Sequence, residues 1–295
     1  MVVYSIKECK AVATLDWDGS IKNDLAFSTD GAKLVLAAND DIRVWEWRKK
    51  KQLAWPEALT RQSPSHSARF GARENLVYVG NSSDNWRGGV RLWDTEKGRL
   101  PVVFEPDAPP SPNEIVGGTA MASTRDGALL AVKYRNQLVL IDTKTHKVLK
   151  RSEHDLPAKN LAFSPDGKFL AQRPIEDKSI TLWSVPELKQ LNEYDIRPGQ
   201  LWGCDFLPDG RLLILATPVK HDEYHFIWWD GVKNEEVWRI FCAKGNNLFQ
   251  GFCISPDGKW LALGFDPSNV QERKLTLWRM EDIHRLAAGK SADKK

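Results

Sequence analysis

Two groups of residues in this chain could do chemistry. The segment His221-Asp222-Glu223-Tyr224-His225 packs two imidazoles and two carboxylates into five residues, the donor types of a divalent-metal site. Histidines at i and i+4 converge only on a helix, and this segment reads as a loop between strands, so it is taken as a solvated connection. The carboxylates Asp24 and Asp205 could serve a hydrolase as acid and base, yet they do not hold equivalent places in their surroundings. No complete Gly-x-x-x-x-Gly-Lys-Ser/Thr phosphate loop, His-Glu-x-x-His or Gly-x-Ser-x-Gly motif occurs. The four cysteines, Cys9, Cys204, Cys242 and Cys253, include no pair with zinc or redox spacing. The expectation is a non-enzymatic chain with no cofactor and no metal.

Composition narrows the partner classes. With 42 basic and 39 acidic residues the net charge is only +3, which gives no reason to expect nucleic acid. The basic run Arg48-Lys49-Lys50-Lys51 reads as a solvated turn, and Glu105-Pro106-Asp107-Ala108-Pro109-Pro110-Ser111-Pro112 as a stiff surface connection. A hydrophobic share of 42% with 27% charged residues is that of a soluble globular protein. The N-terminal residues lack a secretory pattern. No apolar run reaches the roughly 20 residues that cross a bilayer. A cytoplasmic monomer without membrane contact is the default expectation.

The elements that would position any site announce themselves by repetition. Short apolar runs end at Tyr4, Trp45, Trp93, Ile141, Trp183, Trp229 and Trp278, separated by 41, 48, 48, 42, 46 and 49 residues. A period of about 40–50 residues marks an array of one supersecondary unit. One unit reads Leu161-Ala162-Phe163-Ser164, then the turn Pro165-Asp166-Gly167-Lys168, then Phe169-Leu170-Ala171, then Ile180-Thr181-Leu182-Trp183, then Lys189-Gln190-Leu191. Pro, Asp and Gly suit a tight turn through fixed φ, local hydrogen bonding and tolerated positive φ. The unit is therefore four short antiparallel strands, a to d. The turn recurs as Ser28-Thr29-Asp30-Gly31, Thr124-Arg125-Asp126-Gly127, Leu207-Pro208-Asp209-Gly210 and Ser255-Pro256-Asp257-Gly258, and it is degraded near Phe70-Gly71-Ala72-Arg73. Strand b is apolar at consecutive positions, as in Leu34-Val35-Leu36-Ala37 and Leu212-Leu213-Ile214-Leu215. Such runs belong to sheets covered on both faces, as in a β-propeller.

The Phe-Ser-Pro-Asp-Gly turn, the runs ending in Trp or Trp-Asp and the unit length resemble the WD-repeat β-propeller family over residues 2–286. The resemblance implies an all-β propeller of four-stranded antiparallel blades, with six complete repeats plus an N-terminal strand pair, six- or seven-bladed, and a polar tail at 287–295. Of the family's His–Ser/Thr–Asp–Trp hydrogen-bond tetrad, only His154, Asp177 and Trp183 fall at suitable spacing. Packing must therefore hold most blades, and Trp183→Ala is expected to cost about 3–5 kcal/mol. Strand counting gives six a, six b, seven c and six d strands. One closure places residues 11–15 at the outer edge of the blade ending at Trp278; the other makes residues 2–15 half of a seventh blade. After Trp278, Glu281 to Ala288 reads as a short helix.

The resemblance also implies that the d–a and b–c loops share one rim. That rim includes Asp16-Trp17-Asp18-Gly19, Ser82 to Arg87, and Gln200-Leu201-Trp202. Trp and Arg are favoured anchors of protein interfaces. Trp17, Trp86, Arg87 and Trp202 are thus expected to contribute to a partner-binding surface, against the alternative that each Trp folds under its own loop. The function expected is a protein-interaction scaffold; the alternative is a propeller hydrolase or small-ligand binder at the mouth of the central channel.

Overall fold

The computed structural model of the chain describes all residues except 9, 18–23, 38–41, 54–64, 82–88, 99–101, 106–119, 135, 154–156, 177, 219–221, 245–248, 266–273 and 286–295. The fold is all-β. β1 (Val2–Ser5) and β2 (Lys10–Thr14) form a two-stranded antiparallel sheet. Four-stranded sheets follow in sequence order. The first contains β3 (Asp24–Phe27), β4 (Lys33–Ala37), β5 (Ile42–Glu46) and β6 (Lys51–Gln52). The next contains β7 (Ser65–Phe70), β8 (Leu76–Asn81), β9 (Gly89–Asp94) and β10 (Val102–Phe104). Then come β11 (Ala120–Ser123), β12 (Leu129–Tyr134), β13 (Gln137–Asp142) and β14 (Lys147–Glu153). β15 (Ala158–Phe163), β16 (Phe169–Pro174), β17 (Ser179–Ser184) and β18 (Gln190–Asp195) make the fourth. β19 (Gln200–Phe206), β20 (Leu212–Thr217), β21 (Glu223–Asp230) and β22 (Glu235–Lys244) make the fifth. The last sheet has three strands, β23 (Phe249–Ile254), β24 (Trp260–Phe265) and β25 (Lys274–Arg279).

The chain forms two compact units, Met1–Leu161 with Pro186–Leu188, and Ala162–Val185 with Lys189–Lys295. Each has its own apolar cores. In the first unit, Leu34, Leu36 and Trp45 pack with Ala13 and Leu15, so the β1–β2 pair covers one face of β3–β6. Tyr78, Tyr134 and Phe104 fill a second cluster there. In the second unit, Leu213, Leu215, Tyr224 and Trp228 form one cluster, and Ile214, Ile227 and Trp229 form another. Strand b is buried along its length in β4, β12, β16 and β20, as its unbroken apolar run requires.

Two turn chemistries repeat. Between strands a and b, the hydroxyls of Ser28, Thr124, Ser164 and Ser255 donate to the carboxylates of Asp30, Asp126, Asp166 and Asp257 at 2.6–2.7 Å. Each hydroxyl oxygen accepts the amide five residues on, and each carboxylate accepts the amide two residues on. Gly31, Gly127, Gly167 and Gly258 take φ of +66 to +71°, which L side chains rarely adopt. The hydroxyl's hydrogen bond holds each of these carboxyls below its ordinary value.

Between c and d, the residue after the aromatic cap does the work. Asp94, Asp142 and Asp230 each accept two amides of the turn. The left-handed position four residues further on is Lys50, Gly98, His146, Leu188 or Asn234, with φ between 53 and 63°.

The structure corrects three placements. β2, which one closure assigned to the edge beside Trp278, pairs instead with β1, through Val2↔Thr14 and Tyr4↔Ala11. The hydrogen bonds from Leu15 N–H to Met1 O and from the Met1 amino group to Leu15 O extend that pairing. Glu223–His225, read as loop, belongs to strand β21. Trp202, read as a rim loop, lies inside β19. The chain beyond Arg279 forms a short helix at 280–285, and it buries Met280 and Ile283 against the Trp228 cluster.

Candidate functional site

Trp17 and Trp202 are described; Trp86 and Arg87 lie outside the described residues, as do His154, Asp177 and His221. Trp17 follows β2 and is half-buried against the Leu15–Leu34–Trp45 cluster. The Arg43 guanidinium stands 4.8 Å over its ring, a cation–π contact that ties the loop to β5. Trp202 is the extra residue of a bulge, since Leu201 pairs with Ala216 and Gly203 with Leu215. Its indole N–H reaches the Thr217 hydroxyl at 3.4 Å, and its ring lies 5.5 Å from that of buried Tyr224. A bulge re-aims a side chain out of the alternating pattern, a placement that period-two reading could not locate. Trp17 belongs to the first unit and Trp202 to the second, so each is a local feature of its own sheet.

The two flagged carboxylates are both engaged in joining neighbouring inner strands. Asp24 opens β3 and accepts hydrogen bonds from the Ser67 hydroxyl and the Arg69 guanidinium on β7. Asp205, near the end of β19, accepts the Phe206 amide at 2.8 Å and the Ile254 amide of β23 at 3.1 Å. Burial raises the Asp205 carboxyl above its ordinary value, opposed by those two amide bonds. Cys253 beside it is raised by burial and then by the Asp205 charge. Hydrogen bonds of this kind satisfy a buried acceptor between strands.

His225 packs edge-on against Phe241 at 5.7 Å, and its Nδ1 lies 3.2 Å from the Glu223 carbonyl. Burial lowers its pKa. Among the described residues, no three His, Cys, Asp or Glu side chains converge as metal ligands. The basic run is a 3₁₀ turn at Trp47–Lys49, with Arg48 stacked 4.3 Å over Trp47 and Lys49 paired to Glu46 at 3.1 Å. No helix of the described residues is long and apolar enough to cross a membrane.

Sequence reasoning missed Arg279. It holds the place filled in other third strands by Glu46, Asp94, Asp142, Ser184 and Asp230, and it borders a cleft of about 450 Å³ with Lys259, Trp260, Glu281 and His284. A cation where the other third strands carry an acid or a serine was the available signal.

No family model matches the chain. Among solved structures it is similar to the crystal structure of the Myceliophteria thermophila Cps50 (Swd1) β-propeller domain, with 14% identity, 94% of this chain and 88% of that chain covered, and a TM-score of 0.72. At that identity the likeness speaks for architecture alone. Together with the repeated four-stranded sheets and their Asp-Gly turns, it shows that this chain has a β-propeller fold.

Proposed function

We propose that this chain is a non-catalytic protein-interaction scaffold, which binds protein partners through the rim of d–a and b–c loops carrying Trp17, Trp86 and Arg87, with Trp202 contributing from strand β19. The cytoplasm is its proposed compartment and the monomer its proposed state. The observation that carries the reading is the occupation of Asp24 and Asp205. Both carboxylates considered above for acid–base work are tied into strand-to-strand bonds. The propeller fold, similar to that of the Cps50 domain, supports it as well. Strands and turns that close their own hydrogen bonds make a pre-formed framework, and a pre-formed binder loses little conformational entropy on binding.

The rim residues differ in what they offer. Trp86 and Arg87 sit in the polar stretch Ser82-Ser83-Asp84-Asn85 and are the proposed anchors. Trp17 and Trp202 contribute through the parts of their rings that their own strands leave uncovered. The test is affinity capture from native cell extract with the parent chain and a Trp86→Ala/Arg87→Ala variant. The expected result is loss of the co-captured protein with an unchanged thermal melt. Full retention of that partner by the well-folded variant would overturn the reading.

A further inference from the structure

β25 is exposed where the other third strands are covered. Leu275, Leu277 and Trp278 are 61%, 40% and 40% exposed. Their counterparts Leu138, Leu140 and Ile141 in β13, and Phe226, Trp228 and Trp229 in β21, are at most 5% exposed. β25 pairs with β24 on one side and with no strand of the described residues on the other.

Its free side is chemically ready for pairing. The Met280 amide donates to Lys259 O at 2.9 Å, flanking the pair Trp260↔Arg279. Antiparallel alternation then turns the main-chain groups of Thr276 and Trp278 toward β24, and those of Leu275, Leu277 and Arg279 outward. β5 agrees: Val44, the counterpart of Leu277, accepts the Leu53 amide on its outer side at 2.8 Å. No proline blunts this edge, although proteins commonly protect such edges that way.

The missing strand would follow a defined register. In β13, β17 and β21 the pairing with the fourth strand shifts at the residue before the aromatic or aliphatic cap, so that Leu149, Leu191 and Val237 stand unpaired. All three are exposed aliphatics. In three sheets the first residue of the fourth strand faces the residue after the cap: Lys147 faces Asp142, Lys51 faces Glu46 and Glu235 faces Asp230. In β25 that residue is Arg279, so an acidic first residue of an incoming strand would meet an opposite charge there. Arg279 lies 5.5 Å from the Trp260 ring centre. Its ion pair with Glu281 is exposed and long at 3.5 Å, hence weak. Arg279 shares the cleft at the end of the strand with Glu281 and with Lys259, whose ammonium lies 3.8 Å from the Asp257 carboxylate.

We propose that the open edge of β25 binds an extended, acid-headed segment of a partner protein, which adds antiparallel as the fourth strand of this sheet. Its first residue sets a carboxylate against Arg279 at the cleft, its third is an aliphatic that bulges outward, and its next residues pair along Leu277 to Leu275. Main-chain hydrogen bonds supply affinity, and the charged head supplies direction and register.

The protein itself contains a strand with this pattern. β22 begins Glu235-Glu236-Val237-Trp238-Arg239-Ile240-Phe241, with Val237 at the bulge. A fluorescein-labelled synthetic peptide of those seven residues is therefore the probe, titrated with the full chain and read by anisotropy. Saturable binding is expected. Lysine in place of the first glutamate should weaken it about fivefold, and Arg279→Glu should reverse that preference. A peptide N-methylated along its backbone keeps every side chain and should not bind. Equal binding of the N-methylated peptide, or no preference for the acidic head, would overturn the proposal. So would a dimer of the chain alone, seen by light scattering and dissociated by Leu277→Pro, because a second copy would then occupy the edge.

Discussion

β19–β22 and β23–β25 are successive sheets of one compact unit, built from the same a–b–c pattern, and they end differently. In the first, Trp229 is fully buried and Asp230 folds the chain back by accepting the Val232 and Lys233 amides at 3.1 and 3.0 Å. In the second, Trp278 is 40% exposed and Arg279 takes the place of that acid. A guanidinium offers donors only, so it cannot accept the amides that close the turn. The chain leaves the sheet as a helix, and His284 packs against the paired rings of Trp228 and Trp238 at 6.1 and 5.8 Å. One residue type after the aromatic cap thus accompanies either a fourth strand or an open edge.

The largest effect expected from this contrast is on the aromatic caps. Trp229→Ala should lower stability by about 3–5 kcal/mol, as for other buried aromatic truncations. Trp278→Ala should cost about 1 kcal/mol, because much of its ring is already in water. Urea midpoints read both, and equal costs would erase the distinction. Next come the turn residues. Asp230→Ala should lose about 1–2 kcal/mol for two lost amide bonds, whereas Arg279→Ala should stay within about 0.5 kcal/mol.

Acid titration sharpens the comparison from another side. The Ser255 hydroxyl holds the Asp257 carboxyl below its ordinary value. A depressed folded value means stability that is present above the unfolded carboxyl pKa near 4 and is lost as pH falls through the folded value. Stability should therefore decline below about pH 4. Asp257→Asn should flatten that decline slightly, as followed by urea midpoints across pH. Asp205 carries the opposite sign, since burial raises it. Asp205→Asn should steepen the loss on acidification, because the parent's relief on protonation disappears. The smallest effect belongs to the β21–β22 turn, where Asn234 sits at φ 57°. Asn234→Gly should raise the melting temperature by an amount equivalent to roughly 0.3–0.5 kcal/mol, and a fall would show that the asparagine side chain holds the turn.

Much of the architecture was legible because its determinants are local. Strands a, b and c and the Asp-Gly turns lie where their apolar runs and turn residues put them, and the N-terminal strand pair forms as read. The choice between the two closures for β2 was not legible, since pairing between distant segments leaves no local mark. The left-handed residue in the c–d turns escaped notice because Lys50, His146, Leu188 and Asn234 share no chemistry; the geometry repeats while the residue type does not. Trp202 was misplaced for a related reason. A bulge shifts one side chain without changing composition. The rim residues Trp86 and Arg87 rest on sequence alone.

The hydroxyl–carboxylate turns also bear on how the chain is made. Each closes its bonds across two to five residues, so it forms at small loop-closure cost. A hairpin of this kind assembles in microseconds, far faster than synthesis delivers the next residues. During translation, each a–b pair can form almost as soon as it emerges, and its apolar second strand spends little time unpaired. The same few atoms that shape the finished turn thereby limit the exposure of the most aggregation-prone segments of the nascent chain.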